Sequence, residues 1–258
     1  MSVFDAKVAQ RLNDVYRSID VVERRLANFK MLEPAVGECI VDLGCGPGFM
    51  SEELARAVGQ DGQVIALDPA EPMCEVARDK LAGLPQAQVM SGQADQIPLP
   101  ASSADAIVAV QVMEYVPDLA AAFTEFRRVL KPGGRIVLGD IHYGSAIWHS
   151  HDPDRMARFF KAWHDPVIHP NLVEQLGELL HAHQFIVERQ TPLVMLTNRP
   201  KADSFPNVMA KMARKPAIKL GLLSETEVDD LFAEQEELAA KGGFFFAMTH
   251  YVTRARRA

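Results

Sequence analysis

The 258-residue sequence predicts an α/β fold: a doubly wound, mostly parallel, seven-stranded sheet with helical insertions. Three observations predict it. Short apolar runs alternate with amphipathic stretches five times between residues 37 and 142, the pattern of a parallel sheet covered by helices on both faces. A turn with three glycines, VDLGCGPG at 41–48, follows the first run. Two further stretches rich in β-forming residues lie after residue 184.

The elements follow in order. Residues 4–32 place Val8, Leu12, Val15, Ile19, Val22, Leu26 and Phe29 at helical spacing, which predicts one or two amphipathic helices. ECIVDLG is a buried strand, and FMSEELARAVG a helix closed by Gly59. QVIALD, AQVMSG, ADAIVAV and GRIVLGDIH are the next strands, separated by the helices EPMCEVARDKLAG and LAAAFTEFRRVL and the turn KPGG. Beyond residue 142 the rhythm breaks. DRMARFFKAWH and NLVEQLGELLHAH predict two helices, and 203–241 predicts a largely helical region interrupted at Pro206 and Pro216. FIVERQTPLVML and GGFFFAMTHYVTRAR supply two more strands. No linker marks a second domain.

Composition narrows the function classes. With 48% hydrophobic and 24% charged residues the chain can bury one large core. Three cysteines, Cys39, Cys45 and Cys74, form no Cys-x-x-Cys pair, so neither a disulfide framework nor a metal site is expected. A reducing, cytoplasmic compartment is the expectation, and no segment has the length or apolarity of a signal peptide or membrane span. A net charge of −7 argues against nucleic acid as a partner, and the terminal RARR reads as a solvated tail.

A glycine-rich turn between strand and helix lets backbone approach a ligand closely, and spacing separates the ligand classes. A dinucleotide turn needs glycine or alanine where this chain has Phe49, and no Gly-Lys-Ser or Gly-Lys-Thr follows for a triphosphate. Asp42 at the mouth repels phosphate and suits a cation. S-adenosylmethionine carries an ammonium and a sulfonium and no phosphate.

These residues resemble the class I S-adenosylmethionine-dependent methyltransferases, within them the type 11 group. VDLGCGPG looks like their first motif, VIALDPAEPM their second, SGQADQIPLP their adenine segment, VQVMEYVPD the segment after the fourth strand, and RRVLKPGGRIVL the turn before the fifth. All five stand in order over 41–138. The resemblance implies a Rossmann-like methyltransferase fold, with S-adenosylmethionine as cofactor and S-adenosylhomocysteine as product. The implied cofactor contacts are Asp42, Gly44, Cys45, Gly46 and Gly48 in the turn, Asp68 and Pro69 at the ribose, Gln93, Ala94 and Asp95 at adenine, and Gln111. It implies one domain over 1–258: lid helices at 1–36, a cofactor-binding core at 37–142, acceptor-side insertions at 143–241 and a C-terminal strand at 242–258. The family usually has an acid before the alanine of the adenine segment; here Gln93 precedes Ala94 and Asp95 follows, and either could meet the adenine amine. Tyr115 stands where many relatives carry histidine.

A methyl acceptor that must lose a proton needs a base. His142, at the end of the fifth strand, and His149 and His151 in the adjoining insertion are the candidates. Tyr16, Tyr143 and Trp148 are candidate acceptor contacts. Phe159, Phe160, Trp163, Met195, Phe205, Met209 and Met212 offer apolar surface for a small, partly hydrophobic metabolite, with O-methylation expected first and C- or N-methylation next. The plainer account of each such residue is helix core or the surface of a homodimer. A cofactor-binding regulator or partner subunit without transferase activity is the alternative reading.

Overall fold

The computed structural model describes residue 16, residues 18–202 and residues 204–258. Val8, Leu12 and Val15 of the expected lid lie outside them. Helix α1 (Ile19–Leu32) leads into strand β1 (Cys39–Leu43), then α2 (Phe49–Val58), β2 (Gln63–Asp68), α3 (Glu71–Leu81), β3 (Ala87–Ser91) and β4 (Ala104–Val110). A short 3-10 turn (Met113–Tyr115) precedes α4 (Leu119–Val129) and the long β5 (Leu130–Trp148). The remainder is α5 (Pro153–His164), α6 (Leu172–Ala182), β6 (Phe185–Thr197), α7 (Phe205–Lys219), α8 (Glu225–Ala240) and β7 (Phe246–Arg257).

The sheet has seven strands in the order β3-β2-β1-β4-β5-β7-β6. Strands β1 to β5 pair in parallel, whereas β7 runs antiparallel between β5 and β6. The order reverses between β1 and β4, so a crevice opens at their carboxyl ends, where ligands bind in such sheets. The glycine turn and the 3-10 turn both face it.

Apolar side chains on both sheet faces lock the core. Phe123 and Phe126 of α4 are fully buried against Ile107, Leu130 and Ile136, each contributing about 1.5–3 kcal/mol relative to exposure. Asp118 caps α4 by accepting from the Ala121 amide at 2.9 Å. On the other face Leu54, Val58 and Val137 pack beneath α1. A second cluster joins α5, α7 and α8 to the far ends of β5 and β7, through Phe159, Trp163, Phe205 and Phe246.

Two local expectations are corrected. Pro216 does not interrupt a helix; it lies inside α7, near its last turn, where the Leu220 amide still reaches the Pro216 carbonyl at 2.9 Å. And α1 does not bury its apolar stripe. Ile19, Val22 and Leu26 are exposed, and the inward face carries Val21, Arg24, Asn28 and Leu32. Asn28 explains part of this: its Nδ2 lies 3.0 Å from Nε2 of the fully buried His250, and a Cβ on Gly139 would stand 2.2 Å from its Oδ1. Helix α1 thus docks through polar contacts over a glycine gap in β5.

Candidate cofactor and acceptor site

Beyond β1 the backbone takes left-handed conformations at Gly44 (φ 66°), Gly46 (φ 51°) and Gly48 (φ 81°). Glycine is required at Gly44 on two counts, since a Cβ there would also stand 2.2 Å from Cγ2 of Val112. The turn is tied to β2. The Cys45 amide donates to the Leu67 carbonyl at 2.9 Å, and the Gly46 amide to Oδ2 of Asp68 at 3.0 Å. Oδ1 of Asp68 accepts from the Ala70 amide at 2.9 Å. Burial nonetheless raises the Asp68 carboxyl, with those two amides opposing it. Cys45 is buried, and burial pushes its thiol well up, so it packs as an apolar group. Asp42 lies buried under the turn, where burial raises it to about 7 against the hydrogen bond it receives from the Ser51 hydroxyl.

Pro69, Gly92, Gln93, Gln96, Ile97 and Pro98 line a cavity of about 450 Å³ next to Asp68. Gln93 is in its wall. Asp95 is exposed outside it, and Ala94 is buried behind. Across the crevice Gln111 holds a left-handed conformation (φ 56°), its amide donating to the Gly139 carbonyl at 2.7 Å and its Oε1 accepting from Nη1 of Arg24.

The acceptor side is built on tyrosines and a buried carboxylate. Tyr16 stacks on Phe49 with centroids 5.9 Å apart, and its hydroxyl would lie 3.2 Å from a Cβ on Gly46. It covers the glycine turn, and burial lifts its phenol to about 12. Arg24 is 2% exposed, with its guanidinium 4.8 Å over the Phe205 ring; burial depresses its pKa while Tyr16 and Glu114 oppose that. Glu114, in the 3-10 turn, is fully buried. Its Oε1 accepts from the Tyr143 hydroxyl at 2.9 Å and its Oε2 from the Ile141 amide at 3.3 Å. Burial raises Glu114 to about 7, and Tyr143 and Arg24 pull it down. Tyr115 brings its hydroxyl to 3.5 Å from that of Tyr143.

The histidines divide. His142 places Nε2 2.6 Å from Oε1 of Glu174 on α6, three residues along β5 from Gly139. His149 and His151 lie at the far end of β5 with rings 5.5 Å apart. There the Gln235 side chain donates to the His149 carbonyl and Glu234 accepts from the His151 amide, so α8 anchors both. Trp148 donates to Gln235 at 2.8 Å and lines a separate cavity of about 380 Å³ with Phe159, Phe232 and Phe244. The structure therefore brings Tyr16 and Tyr143 to the crevice and sets Trp148, His149 and His151 beside α8. Sequence reading missed Arg24 and Glu114. The signal for Glu114 was an acid four residues past the carboxyl end of β4; for Arg24, a helical row shared with Val21 and Asn28.

With this geometry in view, the comparisons decide the family. The methyltransferase domain family profile matches residues 41–138. A crystal structure of an S-adenosylmethionine-dependent methyltransferase from Aquifex aeolicus superposes with a TM-score of 0.58 at 18% identity, over 96% of this chain and 98% of that one. Residues 41–138 are a methyltransferase domain of the type 11 family, and the whole chain shares the fold of the class I S-adenosylmethionine-dependent methyltransferases. Among relatives of this methyltransferase, a 37.1 kDa protein in transposon Tn4556 of Streptomyces fradiae is 32% identical over 231 residues, covering 87% of this chain and 64% of the relative. Demethylmenaquinone methyltransferase of Staphylococcus epidermidis is 39% identical over 101 residues, 39% of this chain and 42% of that protein. The chain thus spans about two thirds and less than half of their respective lengths. Among the described residues no helix is long and apolar enough to cross a membrane.

The crevice fits the family's cofactor, S-adenosylmethionine. Each oxygen of Asp68 keeps a lone pair beyond its one amide bond, a cavity walled by prolines, Ile97, glutamines and the Glu125 and Arg128 side chains adjoins it, and a buried carboxyl sits under the turn. Those features meet a ribose diol, a purine and a cation.

Proposed function

We propose that this chain transfers the methyl group of S-adenosylmethionine to a small, partly apolar acceptor bearing an ionisable hydroxyl. The observation that carries this reading is the Glu114–Tyr143–Tyr115 cluster, a buried carboxylate bonded to one phenol that meets a second, just past the carboxyl end of β4 and beside the glycine turn. The small, partly apolar character of that acceptor accords with the relative named demethylmenaquinone methyltransferase.

In this reading the cofactor supplies an electrophilic methyl on a positively charged sulfur. Asp68 accepts from both ribose hydroxyls, Gln93 from the adenine amine, and the Gly44–Gly48 turn passes beneath the amino-acid end, with Asp42 offering negative charge. Tyr16, Phe205 and Trp163 close the acceptor side with apolar surface, excluding water and holding the nucleophile in line with the methyl group. His142, paired with Glu174, borders the crevice; His149 and His151 hold the α8 end of β5. A hydroxyl oxygen is the expected methylation site, ahead of carbon or nitrogen.

The test is incubation of the full chain with methyl-deuterated S-adenosylmethionine and a small-metabolite extract, read by mass spectrometry. A product heavier by the labelled methyl, with its hydroxyl lost, supports the proposal. Cofactor binding without any labelled product would sink it and favour a regulatory, non-catalytic role.

A further inference from the structure

Glu114 is a buried acid whose surroundings do not merely neutralise it. Arg24, from α1, reaches it by charge, but the guanidinium spends its hydrogen bonds on Gln111 and the Asp20 carbonyl. From β5, Tyr143 donates to it, and Asp140, two residues before His142 on the same strand, is buried within reach of its charge. Burial, and after it Glu114, raise the Asp140 carboxyl well above the ordinary range, with the Glu114, Met113 and Val112 amides opposing. From α5, His164 meets the Tyr143 ring edge-on at 5.0 Å, and burial lowers its imidazole below the ordinary histidine range. His169 spends Nε2 on the Val116 carbonyl at 2.9 Å, and His250 of β7 lies on the Arg24 side. Tyr16, from the α1 side, adds negative potential at Tyr115 on ionisation.

One route leads from this carboxylate to the crevice. Tyr143 is 4% exposed and its hydroxyl stands between Glu114 at 2.9 Å and the Tyr115 hydroxyl at 3.5 Å, while Tyr115 is 37% exposed. The phenol pair thus forms the one conduit among the described residues that joins Glu114 to the surface through side-chain oxygens.

We propose that Tyr143 takes the hydroxyl proton of the acceptor while passing its own proton to Glu114, and that Tyr115 completes the route by which that proton later leaves. This rests on the methyl-transfer reading. As the acceptor O–H breaks, its electron pair forms the bond to the methyl carbon, the methyl carbon–sulfur bond breaks with its pair going to sulfur, and S-adenosylhomocysteine results. Glu114 ends protonated and Tyr143 neutral, so charge and atoms balance. Tyr143 is then the catalytic residue, and Glu114 acts through it.

The experiment compares wild type, Glu114→Gln and Tyr143→Phe at pH 5.5–9, using the acceptor fraction identified with labelled cofactor. S-adenosylhomocysteine binding is measured alongside. Wild-type kcat is expected to rise about tenfold between pH 6 and 8, because the ionised form of Glu114 is the working one. Both variants are expected to bind S-adenosylhomocysteine within about twofold of wild type, to lose about a hundredfold or more in kcat, and to lose that pH limb. An acceptor analogue fluorinated beside its hydroxyl, already more acidic, should restore much of the Glu114→Gln rate. Variants that keep the wild-type kcat and pH profile, or lose only KM, would overturn the relay while leaving methyl transfer standing. No transfer by wild type would overturn both. Should Glu114→Gln fail to fold, the pH profile of Tyr143→Phe decides alone.

Discussion

The Gly46 amide donates to Oδ2 of Asp68 across 3.0 Å, joining the turn after β1 to the acid that ends β2. A ligand touching either is therefore read by both. Asp68→Ala removes the acceptor for two ribose hydroxyls and the brace of the turn. Each lost charge-assisted bond costs about 1.5–3 kcal/mol, so affinity for S-adenosylhomocysteine should fall at least about a hundredfold. Thermal shift is the check: wild type is stabilised by S-adenosylhomocysteine and not by NAD, and the variant by neither. An unchanged shift in the variant would remove the ribose assignment.

Asp42 couples stability to pH. Its carboxyl stands at about 7 in the fold against 3.8 for an ordinary aspartate. Across that interval the folded chain holds more protons than the unfolded chain, so this group's contribution is favourable at low pH and is lost as pH rises toward 7. Asp42→Asn should match wild type in stability below about pH 4 and exceed it by a few kcal/mol, on the order of the shift converted, above pH 8. Denaturant melts at pH 5 and 8 on the ligand-free protein measure this. The same variant should bind the cofactor more weakly at pH 8, having lost the charge.

Gly44→Ala should damage the turn twice, through the left-handed backbone and through the 2.2 Å approach to Val112. The backbone term alone is about 1–2 kcal/mol. Adding Val112→Ala relieves the clash and leaves the backbone strain, so the double variant should recover only part of the melting temperature and of cofactor affinity. Full recovery would show that the backbone conformation is not demanding.

Gln93 and Asp95 are both exposed, but only Gln93 lines the cavity next to Asp68. Gln93→Ala should weaken S-adenosylhomocysteine binding five- to tenfold, about 1 kcal/mol for one hydrogen bond, and Asp95→Ala should leave titration calorimetry unchanged. The reverse ranking would reassign the adenine contact.

The nucleotide half was legible because its chemistry is local. Backbone conformation demanded glycines at Gly44, Gly46 and Gly48, and Asp68, the acid at the end of β2, bonds the Gly46 amide. Strand and helix alternation likewise set the parallel order of β1 to β5. The acceptor half was not legible in this way. Periodicity selects the apolar side of α1, yet Arg24 and Asn28 are the residues buried, because their partners Gln111 and His250 lie 87 and 222 residues away. Glu114 carries no local mark for the same reason: its burial is made by β5 and by the loop before α6, whose Ile168 and His169 amides donate to its backbone carbonyl.

Strand β5 spans Leu130 to Trp148, its pairing with β7 shifting register between His142 and Ile147, so the Gly139 that faces Asn28 and the Tyr143 that meets Glu114 lie on one strand, either side of the last regular pair. Side chains alternate along its regular part, which puts residues 137, 139 and 141 on a common side and sets where the chain enters the shifted segment that holds Tyr143. A single residue inserted at Asp140 would leave everything before it in place and turn each later side chain to the opposite face. Such a lesion would spare the purine-side contacts and erase the acceptor side at a stroke, giving a chain that still captures its sulfonium ligand and has nothing to do with it.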